Sequence, residues 1–215
     1  MNIYKPIRGE NTVDGKGEDF FRLRPYMKKP GAMTSREIAA FRLDEHLGFG
    51  RIPPTGRTKG RWVDGRSGAE GMVQKFVEST FGRKDIHAYP EVQQQQMAVL
   101  DYVMGNIDRH PGNYRSVQKG DQLDVVAIDH GRSFPHARYP LDIDIRSEFV
   151  REHRGKVLDD DILHSINNVD QESLRAALTD AGLSDNAVNG ALARLNEINA
   201  TRMIPGDTIV LGVGS

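Results

Sequence analysis

Apolar positions fall into short alternating runs in the first third of the chain and into helical spacings later. Residues 2–6 predict a short strand that Pro6 stops. Residues 8–33 are polar and rich in Gly, Lys and Arg, which predicts an exposed loop or flap. Ile38, Phe41, Leu43 and Leu47 predict a helix, with Thr34 and Glu37 at capping-box spacing and Gly48 and Gly50 ending it. Residues 51–70, with Pro53, Pro54 and several glycines, predict turns between short strands, and Gly71 to Val77 alternates as a strand. From about Pro90 to Met104 a longer helix presents Met97, Leu100, Val103 and Met104 on one face.

A dense polar loop, Gly105 to Asn113, follows that helix. A strand is expected at Leu123–Ile128, then a polar turn, Asp129-His130-Gly131. The last third predicts helices at about 158–167, 170–181 and 185–200, with Asp170 and Ser184 as N-caps and Gly182 as a stop. Residues 204–215 have the composition of a poorly anchored tail. There is no internal repeat. A sheet-rich part followed by a helical part predicts an α+β fold with a cleft between them.

Composition narrows the classes. At 215 residues the chain can bury a core without covalent staples. The 29 basic and 30 acidic residues leave a net charge of −1, so no general pull toward nucleic acid or anionic membrane is expected. Cysteine is absent, which excludes disulfides, thiol chemistry and cysteine zinc sites. No apolar run approaches the roughly 20 residues that span a bilayer, and the start lacks a signal-peptide pattern. The expectation is a cytoplasmic protein without a transmembrane segment, or an effector secreted by a route that ignores such signals.

The chemistry concentrates in Gly105-Asn106-Ile107-Asp108-Arg109-His110-Pro111-Gly112-Asn113 and in Ala127-Ile128-Asp129-His130-Gly131. Asp108 and Asn113 have the D-x-x-x-x-N spacing of a kinase catalytic loop, and Asp129 ends the next strand ahead of His-Gly. Phosphoryl transfer needs a carboxylate to orient the attacking hydroxyl, and an amide oxygen and a second carboxylate to hold a metal on the phosphates. Magnesium or manganese suits such hard oxygen ligands. Either residue type alone is an ordinary turn former; the joint pattern of helix, Asp-Arg-His, Asn, strand and Asp-x-Gly is far more specific. Arg109 is expected to pair with a carboxylate and His110 to pin the loop through backbone hydrogen bonds. His110 and His130 lack metal-ligand spacing.

These two motifs resemble the phosphatidylinositol 3/4-kinase-like superfamily, with its closest look to type II phosphatidylinositol 4-kinases and their small bacterial relatives. Leu100 to Asn106 is also similar to the secretory-pathway casein kinases of the same broad fold. Upstream, Ile3-Tyr4-Lys5-Pro6 resembles the superfamily's ATP-lysine strand, and Arg36 to Leu43 the helix whose glutamate, Glu37 here, pairs with that lysine. Gly50 to Thr55 resembles the turn into the next strand, and Val73 to Val77 the strand entering the hinge, which puts Phe76 and Val77 beside the adenine.

The resemblance covers about residues 3–135. It implies a minimal two-lobed protein-kinase-like fold, with a reduced N-lobe at 1–78, a helical C-lobe at 79–203 and a tail at 204–215. It implies ATP and Mg2+ or Mn2+ as cofactors, catalytic roles for Asp108, Lys5 and Glu37, and metal ligands at Asn113 and Asp129. Family members carry a glycine-rich phosphate loop before the lysine; here four residues precede Lys5, and Gly9, Gly15 and Gly17 follow it. Three readings stay open: a kinase, a nucleotide-binding pseudokinase, and a kinase-fold nucleotidyltransferase. For a kinase, the only basic cluster, Arg22, Arg24, Lys28 and Lys29, has the character of a solvated loop, which favours a protein or small-molecule hydroxyl acceptor over a membrane lipid.

Overall fold

The structure, a computed structural model, describes residues 1–7, 10, 29–59, 70–136 and 144–206. Gly9, Gly15, Gly17, Arg22, Arg24 and Lys28 lie outside these residues, as do 60–69, 137–143 and 207–215. Strands β1 (Asn2–Pro6), β2 (Thr55–Thr58) and β3 (Gly71–Lys75) form an antiparallel sheet in the order β1-β3-β2. Lys5 on β1 sits opposite Met72, which is fully buried. A Cβ on Gly71 would fall 2.4 Å from the Lys5 carbonyl oxygen, so the approach of the two strands at this point requires glycine. β3 ends at Lys75, two residues before the expected Val77.

Helix α1 (Ala32–Leu47) packs against β2 and β3 and buries Ile38, Ala39, Ala40, Leu43 and Leu47. Full burial of each larger aliphatic side chain stabilises by roughly 1.5–3 kcal/mol. The helix stops as expected at Gly48, which is left-handed (φ 69°) and returns its N–H to the Asp44 carbonyl at 2.9 Å. Its start differs from expectation. Thr34 and Glu37 form no capping box, because the helix already begins at Ala32 after a left-handed Gly31 that has no side chain to offer. The carboxylate of Glu10 takes the free N–H groups instead. Its Oε2 accepts from Gly31 (2.9 Å) and Met33 (3.4 Å), and its Oε1 from Thr34 (2.7 Å). A negative charge at the positive end of the helix adds to the hydrogen bonds, and Glu37 is left to point elsewhere.

A second antiparallel sheet, in the order β4-β5-β6, is made by β4 (Thr80–Phe81), β5 (Tyr114–Lys119) and β6 (Gln122–Ala127). β6 is the expected strand. Its partner β5 has a weak apolar signal, since the residues it buries are Tyr114 and Ser116. Helix α2 (Glu91–Met104) occupies the expected segment and is buried nearly all round from Met97 to Met104. α3 (Glu148–His153), α4 (Asp160–Asn167) and α6 (Asp185–Thr201) pack on it, while α5 (Gln171–Asp180) packs on α1 and α6. Asp170 and Ser184 cap α5 and α6 with their side chains, and Gly182 is left-handed (φ 98°), as expected. Ile204, the first residue of the expected tail, is fully buried and accepts from the Gly155 N–H at 2.8 Å, so the chain is still anchored there. The architecture is α+β, with small sheets toward the N-terminus and helices after them.

Candidate active site

The loop after α2 is built on a buried carboxylate. Asp101 has no solvent exposure and accepts from Arg109 Nε (3.1 and 3.2 Å), Asn106 Nδ2 (3.0 Å) and Ser147 Oγ (2.7 Å). The Arg109 guanidinium also donates to the Ile128 carbonyl (2.9 Å) and to the Asn113 carbonyl, so one arginine ties the loop to the end of β6. Arg109 therefore pairs with a carboxylate as the motif predicts. His110 pins the loop as expected, its Nδ1 accepting from the Gly112 N–H at 3.0 Å.

This frame fixes Asp108 and Asn113. The Asp108 N–H donates to Asn106 Oδ1 (2.9 Å), and its carboxylate, about a third exposed, faces Arg132 at 3.5 Å. Asn113 Nδ2 donates to the Asp108 carbonyl at 2.8 Å and, more weakly, to its carboxylate at 3.4 Å. The amide nitrogen is thus used within the loop, and the side-chain oxygen is the atom left to meet a ligand.

The Asn113 carbonyl accepts from the Ile128 N–H (3.1 Å), which brings Asp129, the next residue, to the same end of the sheet. Asp129 is left-handed (φ 58°), a conformation that Asp tolerates better than most residues. Lys5 Nζ lies 3.6 Å from Asp129 Oδ1 and 3.0 Å from Glu37 Oε1. Glu37 is 4% exposed at its side chain, and its other oxygen accepts from the His130 backbone N–H (3.0 Å) and from His130 Nδ1 (3.3 Å). The turn Asp129-His130-Gly131 closes onto the start of α1, where a Cβ on Gly131 would meet Met33 Cε at 2.7 Å.

The charges follow from these contacts. Burial disfavours the Lys5 ammonium, but the carboxylates of Glu37 and Asp129 outweigh it and hold its pKa above the ordinary lysine value. Burial likewise disfavours the Glu37 carboxylate, but the His130 hydrogen bonds and the Lys5 charge prevail and hold it well below the usual carboxylate range. Burial lowers His130, so at neutral pH it is an uncharged donor to Glu37.

Lys5, Glu37 and Asp129 line one cavity of 310 Å³ together with Tyr4, Glu10 and Met72. Asp108 and Asn113 form a second group, joined to the first through the Asn113–Ile128 bond. Phe76 and Val77 join neither. Phe76 is 43% exposed, with its N–H on the Met1 carbonyl (3.2 Å), and Val77 lines a different cavity beyond α1. Four contributors were not expected: Glu10, Asp101, His130 as the partner of Glu37, and Arg132. Asp101 had a signal, an acid inside the apolar stretch Ala98–Met104. The others depend on the fold.

The donor set fits a hard divalent cation. Asn113 Oδ1 and the half-exposed Asp129 carboxylate are the kind of oxygen donors such a cation takes. Among the described residues no cluster of three His, Cys, Asp or Glu side chains stands ready to hold a metal, so phosphate and water oxygens would complete the shell.

Comparison with known proteins bears on the same residues. Phosphatidylinositol 4-kinase gamma 4 of Oryza sativa subsp. japonica is 34% identical over 117 residues, which are 49% of this chain and 21% of the rice protein. Phosphatidylinositol 4-kinase gamma 3 of Arabidopsis thaliana is 27% identical over 175 residues, 63% of this chain and 29% of that protein. The chain thus spans less than a third of the length of these relatives. In fold it is similar to the Golgi casein kinase with Mn/ADP bound (TM-score 0.56, 18% identity, 94% of this chain and 66% of that one). It is also similar to hydra Fam20 with sugar (TM-score 0.55, 17% identity, 79% and 70%). These likenesses make the α+β architecture a protein-kinase-like fold. The family model for phosphatidylinositol 3- and 4-kinase matches residues 34–167, more than half of the chain, from the helix that carries Glu37 through both motif loops, and the chain belongs to that family.

Proposed function

We propose that this chain transfers the γ-phosphoryl group of ATP to a hydroxyl, with Mg2+ or Mn2+. The observation that carries the reading is the position of Lys5, held between Glu37 and Asp129 while the end of β6 bonds to the Asn113 loop. In this reading Lys5 binds the ATP phosphates, and Glu37 keeps it in place. A metal on Asn113 and Asp129 neutralises phosphate charge when bound. Asp108 accepts the proton of the acceptor hydroxyl as its oxygen bonds to the γ-phosphorus and the bond to the β–γ bridging oxygen breaks. Arg132, 3.5 Å from Asp108, orients that carboxylate. The adenine lies against the Phe76–Val77 segment. The boundary between the two lobes falls near residue 78, with the second lobe running to about 203.

For the acceptor we favour a hydroxyl on a protein Ser/Thr or a small molecule. The names of the plant relatives support a second reading, an inositol lipid headgroup. The test uses the purified chain with ATP, MgCl2 and three acceptors in parallel: dephosphorylated casein, a set of small polyols, and phosphatidylinositol vesicles. Products are read by mass. A phosphoryl increment on casein or a polyol supports the first acceptor reading, and one on the vesicle lipid moves it to the second. A nucleotidyl increment, or ATP binding without any product, overturns the kinase reading.

A further inference from the structure

A larger cavity, 560 Å³, lies beyond the C-terminal half of α1 and shares no lining residue with the Lys5 cavity. Phe41, Pro53, Val77, Val117 and Val126 give it apolar walls from α1, the turn before β2, the segment after β3, and the β5–β6 hairpin. Its volume falls within the range of small-molecule sites, roughly 300–1,000 Å³. Such sites pair apolar walls with a few polar groups that fix orientation.

One polar group here stands out. Asp44 lines the cavity and is 2% exposed. Its Oδ2 accepts from the Ile52 N–H at 2.8 Å, but its Oδ1 has no hydrogen-bond partner. A buried carboxylate oxygen without a donor is unfavourable. The nearby cations do not relieve it. Arg51 spends its guanidinium on the Phe49 (3.2 Å) and Val125 (3.3 Å) carbonyls, so it is the Arg51 backbone N–H, beside that of Ile52, that bears on the Asp44 carboxylate at close range. Lys119 is on Asp124 at 2.5 Å. Arg51, Lys75 and Lys119 balance Asp44, Glu45 and Asp124 in formal charge, so the group without a donor sets the preference.

We infer that this cavity is a binding site for a small organic cation, an apolar body carrying a protonated amine that donates to Asp44 Oδ1. The apolar walls take the body and Asp44 takes the ammonium. Burial leaves the Asp44 carboxyl at about 6, still mainly ionised at pH 7.5. The cavity contains none of Lys5, Glu37, Asp108, Asn113 and Asp129, and it meets the proposed nucleotide site at Val77, so its apolar walls and Asp44 are tested separately from phosphoryl transfer.

The probe is tryptamine, followed by amide chemical shifts of the whole chain at pH 7.5, with indole-3-propionate as the isosteric anion. Saturable shifts confined to residues around 41–54, 75–77 and 117–126 are expected, with the anion at least about tenfold weaker. Asp44→Asn keeps the acceptor for the Ile52 N–H and should weaken tryptamine by about tenfold. Val126→Phe fills the cavity without touching Asp44 and should abolish the shifts, which keeps the test open if Asp44→Asn fails to fold. Equal affinity for cation and anion would overturn the inference. So would unchanged binding to either variant, or shifts centred on the Lys5 cavity.

Discussion

Glu37→Gln is the most informative single substitution, because the carboxylate serves three donors from inside the protein. Lys5 Nζ, the His130 N–H and His130 Nδ1 all reach it. Glutamine keeps the volume but offers one acceptor oxygen and one donor nitrogen. In its best arrangement the amide oxygen keeps the buried His130 N–H. Lys5 then faces an N–H donor and turns to solvent, which it can do because its side chain is 43% exposed. The Lys5 contact by itself is therefore worth only about 0–1 kcal/mol. Losing a charge-assisted bond from a buried site costs about 1.5–3 kcal/mol, and relief of carboxylate desolvation offsets part of it. A net loss of about 2 kcal/mol follows, or about 4–8 °C in Tm for a chain of this length.

Urea unfolding at pH 7.5 and a thermal scan measure this loss. The acid limb is a second check. The folded Glu37 pKa is depressed to about 2, so its contribution is present above the ordinary carboxylate value and is lost as pH falls toward 2. Wild type should lose that increment on acidification, and the Gln variant should not. A variant within about 0.5 kcal/mol of wild type would refute the reasoning, since that is the ordinary range of surface substitutions.

Asp108→Asn should leave ATP affinity near normal and slow transfer to the acceptor by about 10²–10⁴-fold, read by nucleotide titration and labelled-phosphate transfer; loss of ATP binding would make Asp108 a nucleotide-site residue. Asp129→Asn keeps a side chain that tolerates φ 58° and should abolish the effect of Mg2+ on ATP-induced thermal stabilisation, with the fold intact by circular dichroism. Glu10→Ala removes the acceptor of the Gly31, Met33 and Thr34 N–H groups at the start of α1 and should lower the urea midpoint by the equivalent of about 1–2 kcal/mol. Asp44 titrates about two units higher in the folded chain than its ordinary 3.8, so its ionisation costs stability as pH rises from 4 to 7. The stability of Asp44→Asn relative to wild type should therefore increase by up to about 3 kcal/mol over that interval, and a constant difference across pH would show that Asp44 is not buried as described.

The parts of the site that lie close together in sequence were legible from it. Asp108 and Asn113 share one loop at a recognisable spacing, and Asp129 follows the apolar strand that leads back to it. Arg109 and His110 were readable as struts because such residues in a turn need partners. What was not legible depends on contacts made only after folding. Glu10 reaches the start of α1 from 21–24 residues away, across a segment with no periodic signal. The capping-box reading of Thr34 and Glu37 failed for that reason: a distant carboxylate had already taken the N–H groups. His130 read as a turn residue after Asp129, and only the packing of that turn on α1 makes it the donor that fixes Glu37. β5 was missed because the residues it turns inward are Tyr114 and Ser116 rather than a run of aliphatics.

Helix α1 carries two buried acids seven residues apart, about two turns, and they respond to burial in opposite ways. Glu37 and Asp44 are 3% and 2% exposed, so desolvation presses on both. Glu37 is held low by His130 and Lys5, whereas burial pushes Asp44 up to about 6 against the backbone N–H groups of Ile52 and Arg51. The difference lies in the partners and not in depth. Glu37 faces a turn and a strand that bring donors to it when the chain folds. Asp44 faces a cavity, where the chain brings apolar walls and leaves one oxygen unserved. A fold that supplies every donor at one acid of a helix and withholds one at another, beside space for a small molecule, has a local deficit that binding can remove. That deficit, more than the cavity volume, is the reason to look for a ligand behind α1.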